Sequence, residues 1–211
     1  MYKIKHVSGR DEFVASLDKL ERAEMTFESP NSTYTPYSYG QLAYDDSGIW
    51  VHMHSDEARD NLRAEITEPN GDTYTDSCME LFFVATPQGG NTSYFNFEVN
   101  VIGTVHVGYG PVRESRKLLA NADSKAFFRV ESASSLDQIT GDFWDTIYYI
   151  PFSFIAEHAP GFVPGPGTVM TGNFYKIGDM TPRRHYLMWR NIDMPRPNFH
   201  QPGFFGEWVF E

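Results

Sequence analysis

Two stretches of this chain place chemically capable side chains at regular intervals. Asp76-Ser77-Cys78-Met79-Glu80-Leu81-Phe82-Phe83 is followed, eleven residues after Phe83, by Tyr94-Phe95-Asn96-Phe97-Glu98-Val99-Asn100. Successive side chains of a strand leave on opposite faces, so Phe95, Phe97, Val99 and Val101 share one face and Tyr94, Asn96, Glu98 and Asn100 the other. The first face is core. The second is a row of amides and carboxylates beside aromatic rings, which suits a saccharide: a pyranose presents hydroxyls around its edge and apolar C–H groups on its faces. An ordinary solvated sheet face has a similar alternation. The residues also admit a catalytic reading, in which Glu80 and Glu98 form the carboxylate pair of a glycoside hydrolase, one as acid and the other as nucleophile or base.

Other groups carry weaker signals. His52 and His54 point together from one strand, as two metal ligands would, but no third Cys, His or acid stands at a diagnostic spacing. No metal is assigned. Arg183, Arg184 and His185 form a basic spot that reads as a solvated loop or as a contact for an anionic group. Asp179, after Gly178, is a hydroxyl acceptor or a turn residue. The single cysteine, Cys78, excludes an intrachain disulfide and reads as a small buried hydrophobe.

The elements that must position these groups are short. Asp45-Asp46-Ser47-Gly48 joins residues 41–44 to 49–54 as a hairpin. Segments 62–66, 76–84, 94–101, 104–107, 126–130, 146–150, 172–177, 185–190 and 204–210 continue the series, separated by turn signals such as Glu68-Pro69-Asn70-Gly71-Asp72. Residues 153–158 read as one helical turn, and 11–25 as a helical turn or an edge strand. This rhythm predicts an all-β chain, one domain over 1–211: a two-sheet antiparallel β-sandwich with short helical turns.

Composition agrees. The 211 residues include 17 Phe, 12 Tyr and 4 Trp, enough bulky apolar surface for a core and a binding face. A net charge of −11 argues against nucleic acid or an anionic membrane as partner and favours a neutral ligand. No apolar run is long enough to span a bilayer. The polar residues 1–10 contain no signal-peptide core, so a cytoplasmic location is expected as written, and a secreted or periplasmic one if a leader has been trimmed. Oligomeric state is not legible.

From about Gly40 onward the chain resembles carbohydrate-binding module family 9, within the wider DOMON-like sandwiches of jelly-roll or immunoglobulin-like type. Residues 76–83 are similar to the family's Asp-Ser-x-x-Glu-apolar-Phe strand and 94–100 to the strand after it. Gly172-Asn173-Phe174-Tyr175-Lys176-Ile177-Gly178-Asp179 with Trp189 resembles a later strand, loop and tryptophan, and the ending from Asn198-Phe199-His200 to Glu207 is similar to stand-alone relatives. The resemblance implies non-catalytic carbohydrate binding associated with polysaccharide breakdown. Two rings would clamp a terminal sugar: Tyr74, where xylanase-attached members use Trp, and Trp189. Glu80 matches the hydroxyl-binding acid, and Asn96, Glu98, Asn100 and Asp179 would join it. Structural calcium, frequent in the family, is implied as a further option, and no cofactor is assigned. Some DOMON-like sandwiches bind haem through Met and His, an alternative that Met188 and His185 keep open.

Overall fold

A computed structural model describes residues 1–195 and 198–211. Strand β1 spans Tyr2–His6, β2 Ala23–Glu24, β3 Phe27–Glu28, β4 Ser38–Tyr44, β5 Gly48–Ser55 and β6 Cys78–Val84. Then follow β7 Tyr94–Asn100, β8 Val105–Gly110, β9 Lys117–Leu118, β10 Trp144–Pro151, β11 Val169–Gly178, β12 His185–Met188 and β13 Gly206–Phe210. The helices are short: α1 Arg10–Ala15, α2 Ser124–Phe127 and α3 Phe152–His158.

The strands form one large, mixed, strongly curled sheet, in the order β10-β5-β4-β1-β13-β11-β6-β7-β8-β9. This corrects the expectation of two separate antiparallel sheets. The cause is β1, whose first half pairs in parallel with β13 (Tyr2 with Trp208) and whose second half pairs in parallel with β4 (Lys5 with Ala43). One strand thus carries the hydrogen-bond ladder from one arm into the other. Its Tyr2 and Ile4 are fully buried and alternate with exposed Lys3 and Lys5, a period-two pattern hidden in what composition marks as a polar terminus.

The arms curl face to face over a common core. Phe97 of β7 stacks on Tyr148 of β10 with centroids 6.1 Å apart. At Gly40 on β4 a Cβ would strike the Phe174 ring of β11, so glycine lets the arms approach. The β4–β5 turn is closed by Asp45, whose Oδ1 accepts from the Ser47 and Gly48 amides at 2.8 and 3.0 Å.

Two predicted strands are something else. Residues 126–130 lie on and just after α2, with Arg129 at φ 50°. Segment 62–66 pairs with no strand. It is held by side chains instead: Asp76 accepts from the Glu65 and Ile66 amides, and the Ser77 hydroxyl from the Arg63 amide. No helix among the described residues is long and apolar enough to cross a membrane.

Candidate functional site

Strands β11, β6, β7 and β8 lie side by side, and their register draws polar groups into one row. Glu80 sits opposite Tyr175 on one side and Glu98 on the other, and Glu98 sits opposite His106. The last pairing follows from the tight β7–β8 turn, where Gly103 at φ +79° lets Asn100 bond directly with Thr104. This row floors a cavity of about 440 Å³. Three loops wall it. The turn at Thr73–Thr75 brings Asp72 and Tyr74, the turn at Arg113–Ser115 brings Arg113 and Arg116, and the 198–200 segment brings Asn198, Phe199 and His200. Asn31, Ile177, Asp179 and Tyr186 close the rest.

The two acids differ in their surroundings. Glu98 is anchored, accepting from the Thr73 hydroxyl at 2.9 Å and the Asn96 amide at 3.0 Å. Glu80 is 2% exposed and receives no hydrogen bond from any described residue. Burial first, and the Glu98 charge second, push its carboxyl well above the usual range. His106 presents a buried Nε2 with no hydrogen-bond partner among the described residues, 3.9 Å from the Glu98 carboxyl, while its Nδ1 bonds the Gly71 carbonyl at 3.2 Å. His200 is held neutral, its pKa down at about 2, by burial and then by the Arg116 and Arg113 guanidiniums. Its Nδ1 shares a 2.8 Å hydrogen bond with the Tyr94 hydroxyl.

The rings are fixed from behind. Phe199 lies flat on Tyr175 at 4.1 Å and 8°, and the Tyr175 hydroxyl donates to the Phe199 carbonyl at 3.1 Å. The Tyr186 hydroxyl donates to Asp179, whose amide in turn donates to the Tyr74 carbonyl at 3.1 Å. The cavity thus offers an acid with a raised pKa, a second acid anchored by two donors, two guanidiniums and several ring faces: a floor for hydroxyls and walls for apolar C–H surfaces.

Of the residues expected from the sequence, Tyr74, Glu80, Glu98 and Asp179 line this cavity together. Asn96 stands behind them, donating to Glu98 and accepting from Arg116. Two expectations are corrected. Asn100 is spent on the scaffold: it donates to Asp76 at 2.9 Å and the Ile66 carbonyl at 2.8 Å and accepts from the Thr104 amide at 2.7 Å. Trp189 packs its half-buried ring edge-on against Tyr2 and Phe174, each 5.9 Å away, on the core side of the sheet. It does not face Tyr74. The rings actually gathered near Tyr74 are Tyr186 and Phe199. Sequence reasoning missed Arg113, Arg116, His106 and His200. Register from the hairpin turn would have found His106; the others reach the cavity through loops.

The remaining candidates are engaged elsewhere. His52 and His54 both bond Asp145, at 2.8 and 2.9 Å, and His54 also bonds Asp56. Arg183 pairs with Asp60, Arg184 donates to the Asp179 carbonyl, and His185 is buried. His185 and Met188 project to opposite faces of β12; the Met188 sulfur accepts from the Ile192 amide and the His185 Nε2 from Lys176. They do not make the haem pair. Among the described residues no three His, Cys, Asp or Glu side chains converge as a metal site. Asp76, the buried acid of the family-like strand, is filled by Arg63, Asn100 and backbone donors, so the calcium implied by resemblance finds no side-chain cage there.

The model of the family described as carbohydrate-binding family 9 matches residues 14–210. In fold the chain is similar to a Bacteroides uniformis ATCC 8492 protein described as a candidate carbohydrate-binding protein, with 29% identity, TM-score 0.81 and coverage of 99% of this chain and 98% of that one. It is also similar to a family 9 carbohydrate-binding module of Caldicellulosiruptor kristjanssonii solved with glucose, with 13% identity, TM-score 0.63 and coverage of 99% and 94%. The cellotriose complex from the same organism gives 13%, 0.65, 100% and 93%. At that identity the likeness is one of fold. No curated protein is found to match.

Proposed function

The chain belongs to carbohydrate-binding family 9, and on that premise we propose that it binds the terminal sugar of a glycan or a small saccharide in the cavity floored by Glu80 and Glu98, with 1–211 as one binding unit. The observation that carries the proposal is the convergence of two strand-borne acids with the Tyr74, Tyr186 and Phe199 rings around a 440 Å³ space. Glu98, held by two donors, accepts sugar hydroxyls. Glu80, whose pKa is raised by burial and then by the Glu98 charge, both donates and accepts while it carries its proton. Charged hydrogen bonds of this type contribute about 1.5–3 kcal/mol each, and ring contacts about 0.5–1.5 kcal/mol beyond area. The family 9 module solved with glucose and with cellotriose supports the ligand class.

Isothermal calorimetry against mono- and oligosaccharides tests this. We expect binding that weakens at least about tenfold, or about 1.4 kcal/mol, in Tyr74→Ala. No heat with any saccharide, or full affinity in that variant, would remove the proposal. A second reading rests on two facing carboxyl groups, Glu80 with its pKa raised, the layout of a glycosidase acid and its partner. It requires release of nitrophenol from aryl glycosides and its loss in Glu80→Gln.

A further inference from the structure

Arg113 and Arg116 are the groups in this cavity that neutral-sugar binding does not account for. Arg113 opens the 3-10 turn Arg113–Ser115, Arg116 follows it as an extended residue, and both line the cavity. Among the described residues neither guanidinium has a carboxylate partner or lies over a ring, whereas Arg10, Arg63, Arg183 and Arg184 pair with acids, Arg22, Arg129 and Arg190 lie over aromatic rings and Arg59 donates to the Ile139 carbonyl. Two buried acids lie on the same cavity floor, yet the arginines do not pair with them. Asn96 stands between: its amide nitrogen donates to Glu98 and its oxygen accepts from Arg116. Arg116 is further steadied by donating to the Arg113 carbonyl at 3.1 Å. Arg113 itself is exposed and its side chain bonds nothing described. In a chain of net charge −11, two unpaired guanidiniums beside one cavity form a local anion site, since a guanidinium fork matches a planar carboxylate.

The floor is compatible with an anion. Glu98 is shielded by its two donors, and the raised pKa of Glu80 lessens the negative charge the floor sets against an anion. His200, in the same cavity, has its pKa lowered by burial first and then by the charges of Arg116 and Arg113.

We propose that Arg113 and Arg116 receive the carboxylate of an acidic sugar, a hexuronate, whose hydroxyls rest on Glu98 and Glu80. The inference rests on the carbohydrate-binding proposal and narrows its ligand class.

The test is calorimetry of the whole chain with glucose, glucuronate, galacturonate and glucose 6-phosphate at low and high salt. We expect at least one uronate to bind about tenfold tighter than glucose at low salt, with the gap shrinking as salt screens it. Arg113→Gln, an exposed position whose loss does not touch the fold, should collapse the uronate-to-glucose ratio toward one, and Arg116→Gln should do the same. Glucose bound as tightly as either uronate overturns the inference and leaves the saccharide proposal standing. A ratio unchanged in both variants overturns it too. Tightest binding of the phosphate ester overturns the carboxylate assignment, and binding of no sugar removes both proposals together.

Discussion

Replacing Glu80 by Gln probes the electrostatics on which the cavity depends. The carboxyl is 2% exposed, faces Glu98 across the strand pair, and has its pKa raised well above 4.5 by burial and then by that neighbour. The folded protein therefore holds a proton that the unfolded chain has released. The stabilising effect of that proton is complete below the unfolded pKa near 4.5 and is lost as pH rises toward the folded value. One proton of difference corresponds to about 1.4 kcal/mol per pH unit. Glutamine keeps the shape and cannot ionise, so the stability of Glu80→Gln relative to the parent should climb by about that slope above roughly pH 5. For a chain of this length that is about 3–6 °C of Tm per pH unit. Thermal denaturation of both proteins at matched pH values measures it, because groups common to the two cancel in the difference. A difference that stays flat between about pH 5 and 7 means Glu80 ionises at its ordinary value, and the reasoning about the floor then fails.

Trp189→Ala should leave saccharide affinity within about twofold while lowering stability by roughly 2–4 kcal/mol, since the ring packs on Tyr2 and Phe174; calorimetry and urea melts separate the two effects. Lys176→Met strands the fully buried Glu57, which keeps its charge against burial through the Lys176 ammonium at 3.0 Å, and a loss of about 3–5 kcal/mol is expected by denaturant unfolding. His185 and His200, held neutral in the fold at about 3 and about 2, mean that the unfolded chain takes up protons first. Stability should fall as pH drops below about 6.5, with His200→Asn removing about 1.4 kcal/mol per pH unit of that slope where His200 alone is replaced. Gly40→Ala, whose methyl meets the Phe174 ring, should cost about 1–3 kcal/mol by overpacking.

The alternation of Phe95, Phe97 and Val99 against Asn96 and Glu98 determined both the strand and its two faces, because side-chain period along a strand is local geometry. Likewise the hairpin at Asp45 was legible, since an Asp that caps its own turn needs no distant partner. The same local reasoning went astray at residues 62–66 and 126–130, where apolar content suggests strands. There the backbone is claimed by Asp76 and Ser77 in one case and by a helical turn in the other.

Which acids would act together was thus written in the chain, through Glu80 and Glu98 on adjoining strands. Tertiary structure alone decided which rings meet them. Trp189 and Tyr74 were both expected as clamp rings, yet β12 leads into the core side at Trp189, while loops distant in sequence deliver Phe199, Arg113 and Arg116 to the cavity. Period and turn chemistry act over a few residues. Cavity walls are made by closure of the curled sheet and its loops, and that closure depends on contacts, such as β1 against both β4 and β13, that no short window of sequence contains.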